Sequence, residues 1–208
     1  MSFEHWLAFV AASVVLLAIP GPTVLLVVSY ALGHGRRYAA ATVAGVALGD
    51  LTAMTGSLLG VGALLAASAD LFTAVKWIGA AYLVYLGVKL WRAPVGDLGK
   101  ADIGETRTGH IFAHAYVVTA LNPKGIVFFV AFLPQFLDAT RPVVPQMAIL
   151  IATFVTLATV NAALFGLMAS SARRVIRRPS VQRSVNRIGG SFLIGAGLAT
   201  AAWRRAAA

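Results

Sequence analysis

The chain contains no cysteine, which excludes disulfides, thiolate metal sites and thiol redox chemistry. Charge is scarce as well. Asp, Glu, Lys and Arg make up 12% of the residues, against about 25% in ordinary soluble domains. A soluble chain of 208 residues can bury a good core but still needs a polar exterior, which this composition does not supply. There are four histidines, His5, His34, His110 and His114. They sit at the ends of apolar runs without metal-ligand spacing and read as interfacial, so no metal is expected. A phosphate-binding glycine loop, a nucleophile elbow and an HExxH pattern are all missing, which excludes ATP coupling within the chain. No cofactor is implied.

What the sequence has is apolar length. It is 59% hydrophobic with a mean hydropathy of +0.83, so lipid is the expected solvent for much of its surface. A span needs about 20 mostly apolar residues. Six runs qualify: 6–32, 39–66, 71–91, 111–133, 144–170 and the short 188–203. The opening residues MSFEHW carry no Lys or Arg, and the first run exceeds a signal peptide's apolar core, so a cleavable signal is not expected.

The net charge of +10 would suit a nucleic-acid binder, but its distribution argues against that partner. The basic residues lie in short loops between apolar runs, which is a topology signal. Loops after the first, third and fifth runs hold Arg36 and Arg37; Lys89, Arg92, Lys100 and Arg107; and Arg173, Arg174, Arg177, Arg178, Arg183 and Arg187. The opposite side holds Arg141, Arg204 and Arg205. Twelve against three predicts basic loops in the cytoplasm and both termini outside, in a cell (inner) membrane. Trp6, Trp77, Trp91 and Trp203 fall near span ends, as interfacial anchors do.

The stretch 92–110, RAPVGDLGKADIGETRTGH, is the one long polar segment and reads as a cytoplasmic linker loop. It separates two three-helix repeats, 1–91 and 111–208. The first span of each repeat is interrupted by proline: LAIPGPTVLLV has Pro20 and Pro22, and ALNPKGIVFF has Pro123. Laying Pro22 on Pro123 gives an offset of 101 residues, close to half the chain. Three spans is an odd number, so the second repeat enters the membrane upside down. The expected fold is therefore an all-α integral membrane protein: six transmembrane helices in two inverted three-helix repeats, the first and fourth helices broken. Secondary transporters with this architecture bind substrate where broken helices meet at mid-membrane.

The breaks have chemistry of their own. A proline inside a helix removes one N–H and clashes with the carbonyl four residues back. With Gly21 between two prolines, a new half-helix is expected to start at Pro22 and to expose the N–H groups of Thr23, Val24 and Leu25. In the second break Asn122 is a good N-cap, Pro123 a good first residue, and Lys124 follows. Two half-helix N-termini then turn partial positive charge toward mid-membrane, which suits a carboxylate.

Charged residues well inside the spans are Asp50, Lys76 and Lys124. At a helix centre each costs roughly 2.5–3.5 kcal/mol, so such groups normally face the bundle interior. Lys76 is close enough to its span's end to snorkel. Gly45, Gly49, Gly56 and Gly60 form one stripe that lets a neighbour approach, within one chain or between two copies in a homo-oligomer. Asp50 points about 100 degrees from that stripe, on the side of Ser57, where it can face a cavity. It either holds a substrate ammonium and carries the coupling proton, or forms a structural ion pair with Lys124. Thr119, Gln135 and Asn161 are weaker polar candidates that often only join helices.

The quoted segments IPGPTVLLV, GVALGD, KWIGAAYLVYLGVKLWR and LNPKGIVFFVAFLPQF, in that order, closely resemble the LysE/RhtB family of amino-acid exporters. The resemblance implies a six-span plasma-membrane exporter of amino acids or close derivatives, driven by the proton gradient. By position, Pro20, Gly21, Pro22, Asp50, Asn122, Pro123 and Lys124 match the family's motif residues. A lone intramembrane acid favours small neutral substrates over cationic ones, and over metal efflux. Three alternatives stay open: a passive channel, another small-solute or cation efflux protein, or a membrane-embedded enzyme. The enzyme would need clustered acids or histidines near the interface, which the sequence does not contain.

Overall fold

The computed structural model describes residues 1–34, 36–67, 69–93, 107–138, 141–169 and 178–202. Every regular element among them is helical. Helix α1 (Phe3–Ala18) starts at Ser2, whose hydroxyl accepts from the His5 amide, with Glu4 in the first turn where the helix dipole favours an acid. Pro20 and Pro22 end α1, and α2 (Pro22–His34) leaves at a 56° bend. Two missing amides within three residues account for so sharp a turn.

The chain continues through α3 (Arg36–Ala67) and α4 (Ala69–Trp91). After the linker come α5 (Thr108–Ala120) and the short α6 (Pro123–Val127). Next follow a π-helical turn over Phe128–Phe132 and a 3-10 turn over Leu133–Phe136. Pro134 explains the widening, because its ring clashes with a regular helix's Val130 carbonyl. The Leu133 amide reaches back five residues to the Phe128 carbonyl instead. Two long helices follow among the described residues, α7 (Val143–Leu167) and α8 (Pro179–Ala202).

Tyr38–Ala63, Thr108–Phe136 and Val143–Leu167 are long and apolar enough to cross a membrane, and the bent α1–α2 pair passes the same test when its two helices are taken together. Of the expected 71–91 span, Trp77–Trp91 is a shorter apolar helix. The expected 188–203 run is the apolar end of α8, whose opening turns carry Arg183 and Arg187. Most of the 92–110 linker, the Lys76 side chain, Trp203, and Arg173, Arg174, Arg177, Arg204 and Arg205 lie outside the described residues.

The two breaks, expected to be alike, differ. The stretch from Thr108 to Phe136 runs as one apolar length, because its break loses a single amide. There the Leu121 and Asn122 amides still bond to Val117 and Thr119.

Packing follows the small residues. A Cβ added at Gly87 would meet the Gly190 carbonyl at 2.6 Å, one at Gly190 the Gly87 carbonyl at 2.6 Å, and one at Gly197 the Ala80 carbonyl at 2.7 Å. Helices α4 and α8 are thus in main-chain contact. Gly45 and Gly49 bring α3 equally close to α5. A core of Phe9, Phe128, Phe129, Phe154, Leu83 and Leu150 joins α1, α4, α7 and the π turn. Phe129 and Phe154 meet edge to face at 4.8 Å.

Candidate functional site

Ending α1 at two prolines leaves its last carbonyls without their usual partners. The Leu16 carbonyl would accept from residue 20, which is proline and has no N–H. Lys124 supplies the missing donor: its Nζ donates to the Leu16 and Ile19 carbonyls, each at 3.1 Å. The Leu17 carbonyl accepts from Asn161 Nδ2 on α7 at 3.3 Å. The second half of the chain thereby caps the broken end of α1.

The second break forms as its sequence directs. Asn122 caps α6 by accepting the Lys124 amide at 3.1 Å, with Pro123 in the first turn. Its Nδ2 also donates to Thr23 Oγ1 at 3.3 Å, and Thr23 Oγ1 lies 3.4 Å from the buried Thr119 hydroxyl. A Cβ on Gly21 would stand 3.4 Å from Lys124 Nζ, so Gly21 lies directly beside the ammonium. Thr23, Asn122 and Lys124 are therefore one hydrogen-bonded cluster beside Gly21, flanked by Pro20, Pro22 and Pro123.

Three expectations need correction. First, the Leu25 amide is not exposed: it closes the first turn of α2 on the Gly21 carbonyl, leaving Thr23 and Val24 as the amides without a partner among the described residues. Second, Asp50 and Lys124 do not form a direct ion pair. No charged atoms of the two lie within 4.0 Å, although each sits in the other's electrostatic field. Lys124 is drawn to the α1 carbonyls instead, where the helix dipole is negative.

Third, the glycine stripe splits. Gly45 and Gly49 pack on α5, whereas nothing comes within 4 Å of a Cβ at Gly56 or Gly60. Those two line a largely apolar cavity of about 690 Å³ with Ser57, Tyr116, Leu121 and Ile126. Asp50 is not part of that lining. It is partly buried on α3 and makes no hydrogen bond to the described residues.

One contact has no local signature. Tyr30 Oη and His114 Nδ1 lie 2.7 Å apart, joining α2 to α5 across 84 residues of chain, so His114 is more than an interfacial ring. Among the described residues no three His, Asp or Glu side chains are grouped to hold a metal.

Apolar crossings, a proline-broken helix and a lysine reaching from one break to the other define a polytopic membrane protein with a polar centre. The comparisons agree. Residues 14–202 match the LysE type translocator family, and the chain belongs to it. This is a family of translocators, not enzymes. A Vibrio cholerae protein described only as an uncharacterized membrane protein is 36% identical over 206 residues, covering 95% of this chain and 97% of its own. The homoserine/homoserine lactone efflux protein of Salmonella typhi is 34% identical, covering 97% and 98%. The leucine efflux protein of Salmonella choleraesuis is 31% identical over 192 residues, covering 91% and 89%. No solved structure matches.

Proposed function

We infer that this protein exports a small neutral amino acid, or a close derivative, from the cytoplasm across the cell (inner) membrane in exchange for protons. The observation that carries the reading is the pair of unpaired polar sets at the breaks. Lys124 uses two of its three ammonium hydrogens on carbonyls, and the third, with the Thr23 and Val24 amides, has no partner among the described residues. Asp50, of opposite charge, likewise makes no hydrogen bond to the described residues. Unpaired donors beside an unpaired acid complement a zwitterion, the donors taking its carboxylate and Asp50 its ammonium. The names of relatives that export homoserine or leucine support the substrate class.

The protein works by alternating access, with six crossings in two inverted repeats, 1–91 and 111–208, joined by the 92–110 loop. The 101-residue offset of the breaks and the α1 cap supplied by the second half support that arrangement. Both termini face outward, as the twelve-to-three bias of Lys and Arg favours. A proton reaching Asp50 from outside neutralises it, loosens its hold on the ammonium and releases the substrate there.

The test is reconstitution in liposomes with an imposed pH gradient and labelled homoserine, leucine, alanine and lysine. Accumulation of a neutral amino acid that collapses with a protonophore supports the reading. Equilibration without accumulation would indicate a passive channel, and no movement of any amino acid would reject the substrate class.

A further inference from the structure

The end of α1 has the features of a cation site. The carbonyls of Leu16 and Ile19 converge within 3.1 Å of one positive centre, at the negative end of a helix dipole. Unwound carbonyls and half-helix C-termini at mid-membrane bind small cations in transporters, and rings of carbonyl oxygens replace an ion's hydration shell. Asp50 adds an anionic field without touching the centre. One turn earlier on α1, Ser13 is fully buried, and its hydroxyl has no partner among the described residues. It is a spare oxygen on the face of Leu16.

We propose that the Leu16 and Ile19 carbonyls form a monovalent-cation site that the chain fills permanently with its own Lys124 ammonium. Sodium or potassium is then unnecessary for holding the broken first crossing together, because the cation is tethered to the fourth. The tether also makes cation binding independent of external salt. Gly21 lies beside the same centre: a Cβ there would stand 3.4 Å from Nζ, in ordinary van der Waals contact. An untethered cation delivered after removal of Lys124 has the same two carbonyls to bind.

The test reads stability and so does not depend on which solute is exported. Wild type and Lys124→Ala are purified in detergent. Their unfolding midpoints are measured in choline chloride, then in sodium, potassium or methylammonium chloride at equal ionic strength. The wild-type midpoint should be the same in all four salts. Lys124→Ala should unfold at lower temperature in choline and recover by about 2–4 °C or more when a small cation occupies the vacancy. Lys124→Gln, which retains an N–H donor for one carbonyl, is the substitute should the alanine variant fail to fold. Lys124→Arg should ignore the choice of salt. A variant midpoint indifferent to all three small cations would overturn the proposal. So would a wild type that sodium stabilises or that requires sodium in the liposome assay.

Discussion

The ammonium of Lys124 lies 3.1 Å from the carbonyl oxygen of Leu16, the acceptor that Pro20 leaves unserved. A residue 108 positions further along the chain thus supplies the hydrogen that an imino acid lacks. The defect at the end of α1 and the charge on α6 belong to one arrangement. In hydrocarbon, neither an unpaired carbonyl nor a bare ammonium is tolerable alone.

Asp50→Asn keeps the size and polarity of the side chain and removes its charge. The variant should elute and unfold like the wild type but lose gradient-driven accumulation in liposomes. Wild-type accumulation in the variant would remove the carboxylate from the coupling step.

Asn161→Leu leaves the Leu17 carbonyl without its donor. A buried acceptor stripped of its partner costs about 1–3 kcal/mol. The thermal midpoint should fall accordingly, and Asn161→Asp, which cannot donate when ionised, should fall at least as far.

Two glycines of one stripe should respond in opposite ways. A Cβ at Gly49 would sit 2.8 Å from the Thr119 Cβ and 2.9 Å from the Tyr116 carbonyl, so Gly49→Ala should destabilise by about 1–3 kcal/mol. Gly56→Ala meets nothing and should be neutral or stabilising by up to about 1 kcal/mol. Equal effects at both positions, measured by thermal unfolding, would contradict the observed split.

Tyr30→Phe and His114→Ala each remove the bond between α2 and α5. Combined in a double-mutant cycle, they should show a coupling of about 0.5–1.5 kcal/mol, and strict additivity would mean that the contact contributes nothing.

Much of this arrangement was legible before any coordinates. Pro20, Pro22 and Pro123 announce interrupted helices because proline's defect is local and chemical. Asp50 and Lys124 stand out because charge is costly in lipid wherever it occurs. What stayed hidden depends on the identity of a neighbour. The acceptors of Lys124 are main-chain oxygens, which every residue possesses, so no sequence pattern points to them. The stripe from Gly45 to Gly60 has one helical phase along its length, and only the extent of α5 decides which glycines are covered. The bond between Tyr30 and His114 spans two halves that no local signal connects. The unequal breaks follow from arithmetic visible in the chain, two lost amides against one, although their similar spacing suggested equivalence.

The contact between Gly87 and Gly190 has a mechanical consequence. Where two main chains touch with no side chain between them, sliding is opposed by hard atoms rather than by rotatable groups. Helices α4 and α8 therefore form a stiff pair whose relative position is set by main-chain contact. Bulk introduced at Gly87 would pry that pair apart, far along the chain from the proline-broken end of α1.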